Sequence, residues 1–192
     1  SYSASFVVKK QFNDTSEEGL AFIYATEGST LDSLHEDLFK QISREKKCGA
    51  GNATSNTMDI LNKLPHWFVK FFIWLMRQLD RHGIVPKAII EADPYYASVI
   101  LSNLGSIKLR SGYHHLTNWG TTSLFVVVGE MKERIFRNEN GEDEYRNSVD
   151  LGLTIDERLA DGYYYSKSVR LLKYILEHPE CLERPFSEPV DY

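Results

Sequence analysis

The sequence predicts an α+β fold, helices flanking a mixed or mostly antiparallel sheet, from three observations. A pair of short strand patterns opens the chain, two long strand patterns joined by a turn stand late in it, and amphipathic helical stretches lie between and after them. With 192 residues, 42% hydrophobic and 26% charged, the composition is that of one soluble domain. Twenty-two basic against 27 acidic residues give a net charge of −5, an overall balance that attracts neither nucleic acid nor anionic lipid.

Taken in order, Ser5–Phe12 and Leu20–Thr26 carry β-branched and aromatic residues around a polar, turn-like Asn13–Gly19, the pattern of an antiparallel hairpin. Thr30 then stands as an N-cap with Ser33 three residues on, and Leu31, Leu34, Leu38, Phe39 and Ile42 recur at helical spacing, so an amphipathic helix is expected to about Lys46. The small, polar stretch Cys48–Thr57 reads as a loop.

After Pro65, the run Trp67–Leu79 is apolar nearly all the way round a helix, broken by Lys70 and Arg77. It falls short of the roughly 20 apolar residues that span a membrane. All-round hydrophobicity predicts burial against the domain or a neighbouring subunit. An acyl-chain pocket wall or an interfacial membrane contact are the sharper readings. Gly83 ends this helix, Pro86–Ala92 forms a short element, and Val99–Gly105 is a strand running into a glycine turn. Ser123–Phe136 and Tyr145–Ile155 are long strands joined by the turn-rich Asn138–Glu142, and a last helix from about Tyr163 stops before Pro179 with Val169, Leu172 and Leu176 on one side.

Cys48 and Cys181 are too few for a disulfide framework and have no metal-ligand spacing, so no metal is expected. The chain opens on a strand pattern rather than a basic start and an apolar run, so no secretory leader is expected and a reducing cytoplasm fits. With no initiator methionine, a fragment or a trimmed sequence is expected.

Four landmarks, in chain order, carry a family resemblance. Leu101-Ser102-Asn103-Leu104-Gly105 resembles a Ser-Asn-Leu-Gly strand end, and Ser123–Glu130, with Gly129, the strand that follows it. Asp156-Glu157-Arg158-Leu159-Ala160-Asp161-Gly162 resembles Asp-His-Arg-x-x-Asp-Gly, and Leu171–Pro179 a closing helix. The set is similar to the catalytic domain of the dihydrolipoyl acyltransferases of 2-oxo-acid dehydrogenase complexes, and more distantly to chloramphenicol acetyltransferase. The resemblance implies a chloramphenicol acetyltransferase-like mixed sheet flanked by helices in a single domain over 1–192. The N-terminal part of the family domain has no counterpart here, and the segment around 58–92 is an insertion or extension.

The resemblance further implies acyl transfer from a coenzyme A thioester, or another thioester, to an unknown acceptor, at a site between subunits of a homotrimer. The donor and acceptor are small molecules. By the same match, Ser102 supplies a hydroxyl to the oxyanion of the tetrahedral intermediate. Asp161, with Arg158 and Gly162, shapes the active-site loop, the carboxylate pairing with arginine.

Glu157 stands where the family has its histidine base. An imidazole near pKa 6.5 is a neutral base at physiological pH, whereas a carboxylate near 4.3 is mismatched by about four units to a thiol near 8.5 unless burial raises it. His114 or His115, between the Ser102 strand and the Ser123 strand, could serve instead; on a strand they point to opposite faces, so at most one would act. Glu157 as base, a histidine as base, and loss of the chemistry remain open, the last leaving a catalytically silent trimeric module for ligand binding or scaffolding. His35, His66, His82 and His178 fall on helix ends or surfaces.

Overall fold

In the computed structural model, residues 2–10, 18–47, 63–184, 189–190 and 192 are described. The expected loop Cys48–Thr57 and most of the expected turn after the first strand lie outside them. Five strands form one mixed sheet, β1 (Tyr2–Lys9), β2 (Glu18–Ala25), β3 (Val99–Asn103), β4 (Leu124–Arg137) and β5 (Asp143–Ile155), in the order β2-β1-β3-β4-β5. The opening pair is antiparallel, as its polar connection requires; β3 runs parallel to β1 and β4, and β4–β5 is an antiparallel hairpin. Parallel neighbours need long crossovers. The helical stretch between β2 and β3 supplies one of them.

Helix α1 (Leu31–Lys47) starts where its cap predicts: Ser33 N donates to Thr30 Oγ1 (3.2 Å) and Thr30 N donates to Ser33 Oγ (3.0 Å), a reciprocal capping pair. Leu31 and Phe39, expected on its apolar face, are exposed, and Gln41 does the anchoring. Phe22 N donates to Gln41 Oε1 (2.8 Å) and Gln41 Nε2 donates back to the Phe22 carbonyl (2.5 Å), so the helix satisfies the open edge of β2.

Helix α2 (His66–Arg81) carries the aromatic run and corrects the expectation of all-round burial within the chain. None of its residues is fully buried, and its Trp67, Phe71, Ile73 and Trp74 are exposed. It ends as Gly83 dictates, at φ +68°, with Gly83 N donating to the Asp80 carbonyl (3.0 Å) and Ile84 N to the Leu79 carbonyl (2.9 Å). The short α3 (Lys87–Ala92) and a 3₁₀ turn, Pro94–Tyr96, lead into β3. Two carboxylates tie this region down: Tyr96 Oη donates to Asp80 Oδ1 (2.8 Å) and Trp119 Nε1 to Asp93 Oδ2 (2.7 Å). Burial, then Asp80, raise the Tyr96 phenol above its ordinary value.

Helix α4 (Gly162–Glu177) closes the chain against the sheet face opposite Ser102. Between α1 and α4 that face leaves an apolar cavity of about 670 Å³, lined by Phe6, Leu34, Val126, Tyr165 and Leu172 among others. Val169 also lines it, while Leu176, expected on the same side, is exposed. The core is small: Ser5, Ala21 and Val127 are fully enclosed, with Val8, Ala97 and Ile100 nearly so.

Candidate active site

The strand end at Ser102 is built by close backbone approach. Asn103 Oδ1 accepts from Ser106 N (3.1 Å), capping a 3₁₀ turn Leu104–Ile107, and Lys108 takes the left-handed conformation, φ 60°. Gly105 sits in this turn because a Cβ there would lie 2.5 Å from the Gly129 carbonyl oxygen of β4. The chain then crosses the sheet as a strap, Leu109–Gly112. Glu130 N donates to the Leu109 carbonyl (2.9 Å), at the β4 bulge between Val128 and Met131. A Cβ on Gly129 would lie 2.5 Å from Ser111 N, and one on Gly152 would strike the Gly112 carbonyl oxygen. These glycines therefore let the strap lie flat on β4 and β5.

The register fixes which side chains share a face. Ser102 opposes Val127, which opposes Gly152; Ile100 opposes Phe125, which opposes Thr154. Since opposed residues project to the same side and alternate along the strand, Ser102 and Phe125 stand on the strap's side. The His114 ring stacks on Phe125 at 4.5 Å between centroids and 21° between planes. Strand spacing puts Phe125 about 8 Å from Ser102 between Cα atoms. The two histidines do not lie on a strand, contrary to the sequence reading: residues 109–117 are irregular. Both histidines are exposed; ring stacking places His114 on the Ser102 face, and His115 makes no ring contact with a described residue.

Glu157 lies elsewhere. Ile155 opposes Leu124, which opposes Val99, so β5 ends at the level where β3 begins. Ser102 is three residues further along β3 and two strands across, about 14 Å from Ile155, and the chain continues away from it. Asp156 N donates to the Ser123 carbonyl (3.0 Å), beyond the last paired residues. Neither side chain can span that gap, so Ser102 and Glu157 do not meet within one copy. Glu157 is exposed and makes no hydrogen bond or ion pair with another described residue.

The loop around Glu157 is organised by its neighbours. Arg158 Nε lies 2.9 and 3.0 Å from the two Asp156 carboxylate oxygens, Nη2 lies 2.6 Å from Oδ2, and Arg158 N donates to Oδ1 (3.0 Å). Those Arg158 side-chain bonds, then the backbone bond, hold the Asp156 carboxyl below its ordinary range. Tyr165 Oη donates to the Asp156 carbonyl (3.1 Å); burial, then Asp156, push that phenol upward. Asp161 does not pair with arginine here. Its Oδ1 accepts from Tyr164 N (2.9 Å) and caps α4, whose first residue is Gly162.

Sequence reasoning missed Phe125 as a platform for His114 and the strap contacts of Gly129 and Gly152. A strand pattern marks Phe125 only as one of several alternating apolar residues, and nothing local points to its partner. Among the described residues no group of three or more His, Cys, Asp or Glu could hold a metal ion.

A mixed five-stranded sheet with flanking helices gives the chain the fold of dihydrolipoamide acetyltransferase catalytic cores. Three solved structures share it. A probable dihydrolipoamide acetyltransferase from Listeria monocytogenes 4b F2365 aligns with TM-score 0.56 at 12% identity, over 100% of this chain and 60% of that one. The Azotobacter vinelandii dihydrolipoamide acetyltransferase, studied for the role of a serine, a histidine and an asparagine in its catalytic mechanism, gives 0.57 at 12% identity, over 95% and 56%. The cubic core of the pyruvate dehydrogenase multienzyme complex gives 0.58 at 11% identity, again over 95% and 56%. The chain thus spans 56–60% of the length of these neighbours. No family model and no curated protein matches the sequence.

Proposed function

We propose that the chain is an acyltransferase whose site is completed between copies: Ser102 and His114 come from one, Glu157 from its neighbour. The observation that carries the reading is His114 seated over Phe125 on the face that bears Ser102. An imidazole is the side chain most often used as a general base, and this one stands on the Ser102 face, where Glu157 of the same copy does not reach. His114 takes the proton of an acceptor thiol or hydroxyl as its sulfur or oxygen attacks the thioester carbonyl carbon. The oxyanion accepts a hydrogen bond from Ser102, and on collapse the C–S bond breaks and the coenzyme A thiolate, or another thiolate, recovers the proton from the imidazolium. Glu157, delivered by the neighbour, orients the imidazole and stabilises its charged form.

Assembly follows from the gap between Ser102 and Glu157 within a copy. It is supported by the outer half of the β4–β5 hairpin, where Met131, Ile135, Phe136, Tyr145 and Val149 are exposed, and by Tyr163 and Tyr164 on α4. The Azotobacter neighbour's histidine and asparagine stand four positions apart, as Glu157 and Asp161 do. A homotrimer is the expected state, with coenzyme A thioester as co-substrate.

The test is thioester turnover by the full chain with a series of acyl-coenzyme A donors. Ser102→Ala should cost about 10²–10³ in kcat and His114→Ala about 10²–10⁴. Unchanged turnover in both variants refutes this site. Absence of turnover with every donor, in a chain that still assembles, favours the silent binding or scaffolding module.

A further inference from the structure

We propose that α2 is an interfacial helix that docks its outer strip on an anionic lipid surface. The strip is defined by helical spacing. Trp67, Phe71 and Trp74, at i, i+4 and i+7, form one row, 71%, 53% and 56% exposed. Lys70, Arg77 and Arg81, at i, i+7 and i+11, form the row beside it. Phe71 and Trp74 stack at 5.9 Å, keeping the aromatic row flat.

The arrangement of charge selects the occupant. Lys70, Arg77 and Arg81 make no hydrogen bond or ion pair with other described residues. Asp80, the helix's one acidic residue, lies opposite the aromatic row and is engaged with the rest of the chain, accepting from Tyr96 Oη (2.8 Å) and Gly120 N (3.4 Å). The helix is thus fastened by its far side, and its outer side offers indole and phenyl rings flanked by uncompensated cations. Trp prefers the boundary between headgroups and hydrocarbon, and Lys and Arg bind anionic headgroups from the same depth. The overall charge of −5 does not forbid adsorption, because screening limits each charge's reach to about 8 Å at physiological salt. No helix among the described residues is long and apolar enough to cross a membrane, so the contact is peripheral. This inference is independent of the acyl-transfer reading.

Co-sedimentation of the full chain with phosphatidylcholine vesicles, with and without phosphatidylglycerol, tests it. Binding should be about 100-fold stronger with phosphatidylglycerol, since three cations each contribute on the order of fivefold, and it should fall at high salt. Tryptophan emission should shift to the blue on binding. The combined change Lys70→Glu, Arg77→Glu and Arg81→Glu should remove the preference for anionic vesicles, and Trp67→Glu with Trp74→Glu should remove binding altogether, both with unchanged circular dichroism. If either variant fails to fold, quenching of wild-type tryptophan emission by brominated lipid decides the matter. Wild-type protein that neither sediments nor is quenched overturns the proposal. So do tryptophan variants that alter only the oligomeric state, which would make the strip a protein interface.

Discussion

Replacing Gly129 by alanine isolates the strap that connects Ser102 to His114. The new Cβ would lie 2.5 Å from Ser111 N and 3.2 Å from Arg110 C and Ser111 Cα, all backbone atoms. Ordinary contact needs about 3.4 Å or more, so the strap must lift by about 1 Å. Lifting it strains or breaks the bond from Glu130 N to the Leu109 carbonyl, now 2.9 Å. Overpacking of this kind costs about 1–3 kcal/mol, and a weakened backbone hydrogen bond adds about 1 kcal/mol. The sum is about 2–4 kcal/mol, or about 4–16 °C in Tm for a chain of this size. Gly112→Ala in the same strap is the control, because a Cβ there meets nothing within 4 Å. Urea unfolding of wild type and both variants reads the difference. A Gly129→Ala protein within about 0.5 kcal/mol of wild type, the scatter of neutral surface changes, would mean that the strap is not held against β4. It would also remove the basis for placing His114 on the Ser102 face.

Asp161→Ala removes the α4 cap and should cost about 1 kcal/mol, whereas Asp161→Asn should retain most of the stability, read by thermal unfolding. The Asp156 carboxyl is depressed by Arg158, so its contribution is present above the ordinary carboxylate pKa near 4 and is lost as pH falls through the lower folded value. The stability gap between wild type and Asp156→Asn should accordingly be constant from about pH 7 to pH 5 and shrink below about pH 4; a gap that widens on acidification contradicts the assignment. Glu157→Gln keeps size and removes charge. If the residue supports His114 from a neighbouring copy, kcat/KM should fall in this variant, and it should match wild type if Glu157 stays in solvent.

What was legible in the sequence is what neighbouring residues decide. Thr30 with Ser33, Gly83 and Asn138–Glu142 each set a boundary through a bond to residues a few positions away, and the structure places a boundary at each. The period of β4 and β5 likewise fixed them as paired strands. Illegible were contacts between distant segments. Nothing local announces that β1 and β3 run parallel, or that Gly129 and Gly152 are bare because a strap crosses them. The aromatic run of α2 misled for a related reason. Composition reports that a face is apolar, not whether this chain covers it, and here Asp80 and Tyr96 fasten one side and leave the other open.

The same limit governs the candidate site. The resemblance places Ser102 and the Glu157 loop together in the proposed site, yet the register separates them by about 14 Å or more within a copy. Residues that belong together by pattern but lie apart by fold are reconciled only if a second copy brings Glu157 to Ser102. His114 changes the balance of that argument. In the proposed reading it offers an imidazole on the Ser102 face, so Glu157 is not asked to act as the base. A carboxylate suits the lesser task of orienting a ring and steadying its charge. Under the proposal, the proton-taking role falls to the segment that carries His114 rather than to the loop. Turnover in His114→Ala equal to wild type, alongside loss in Glu157→Ala, would reverse that order.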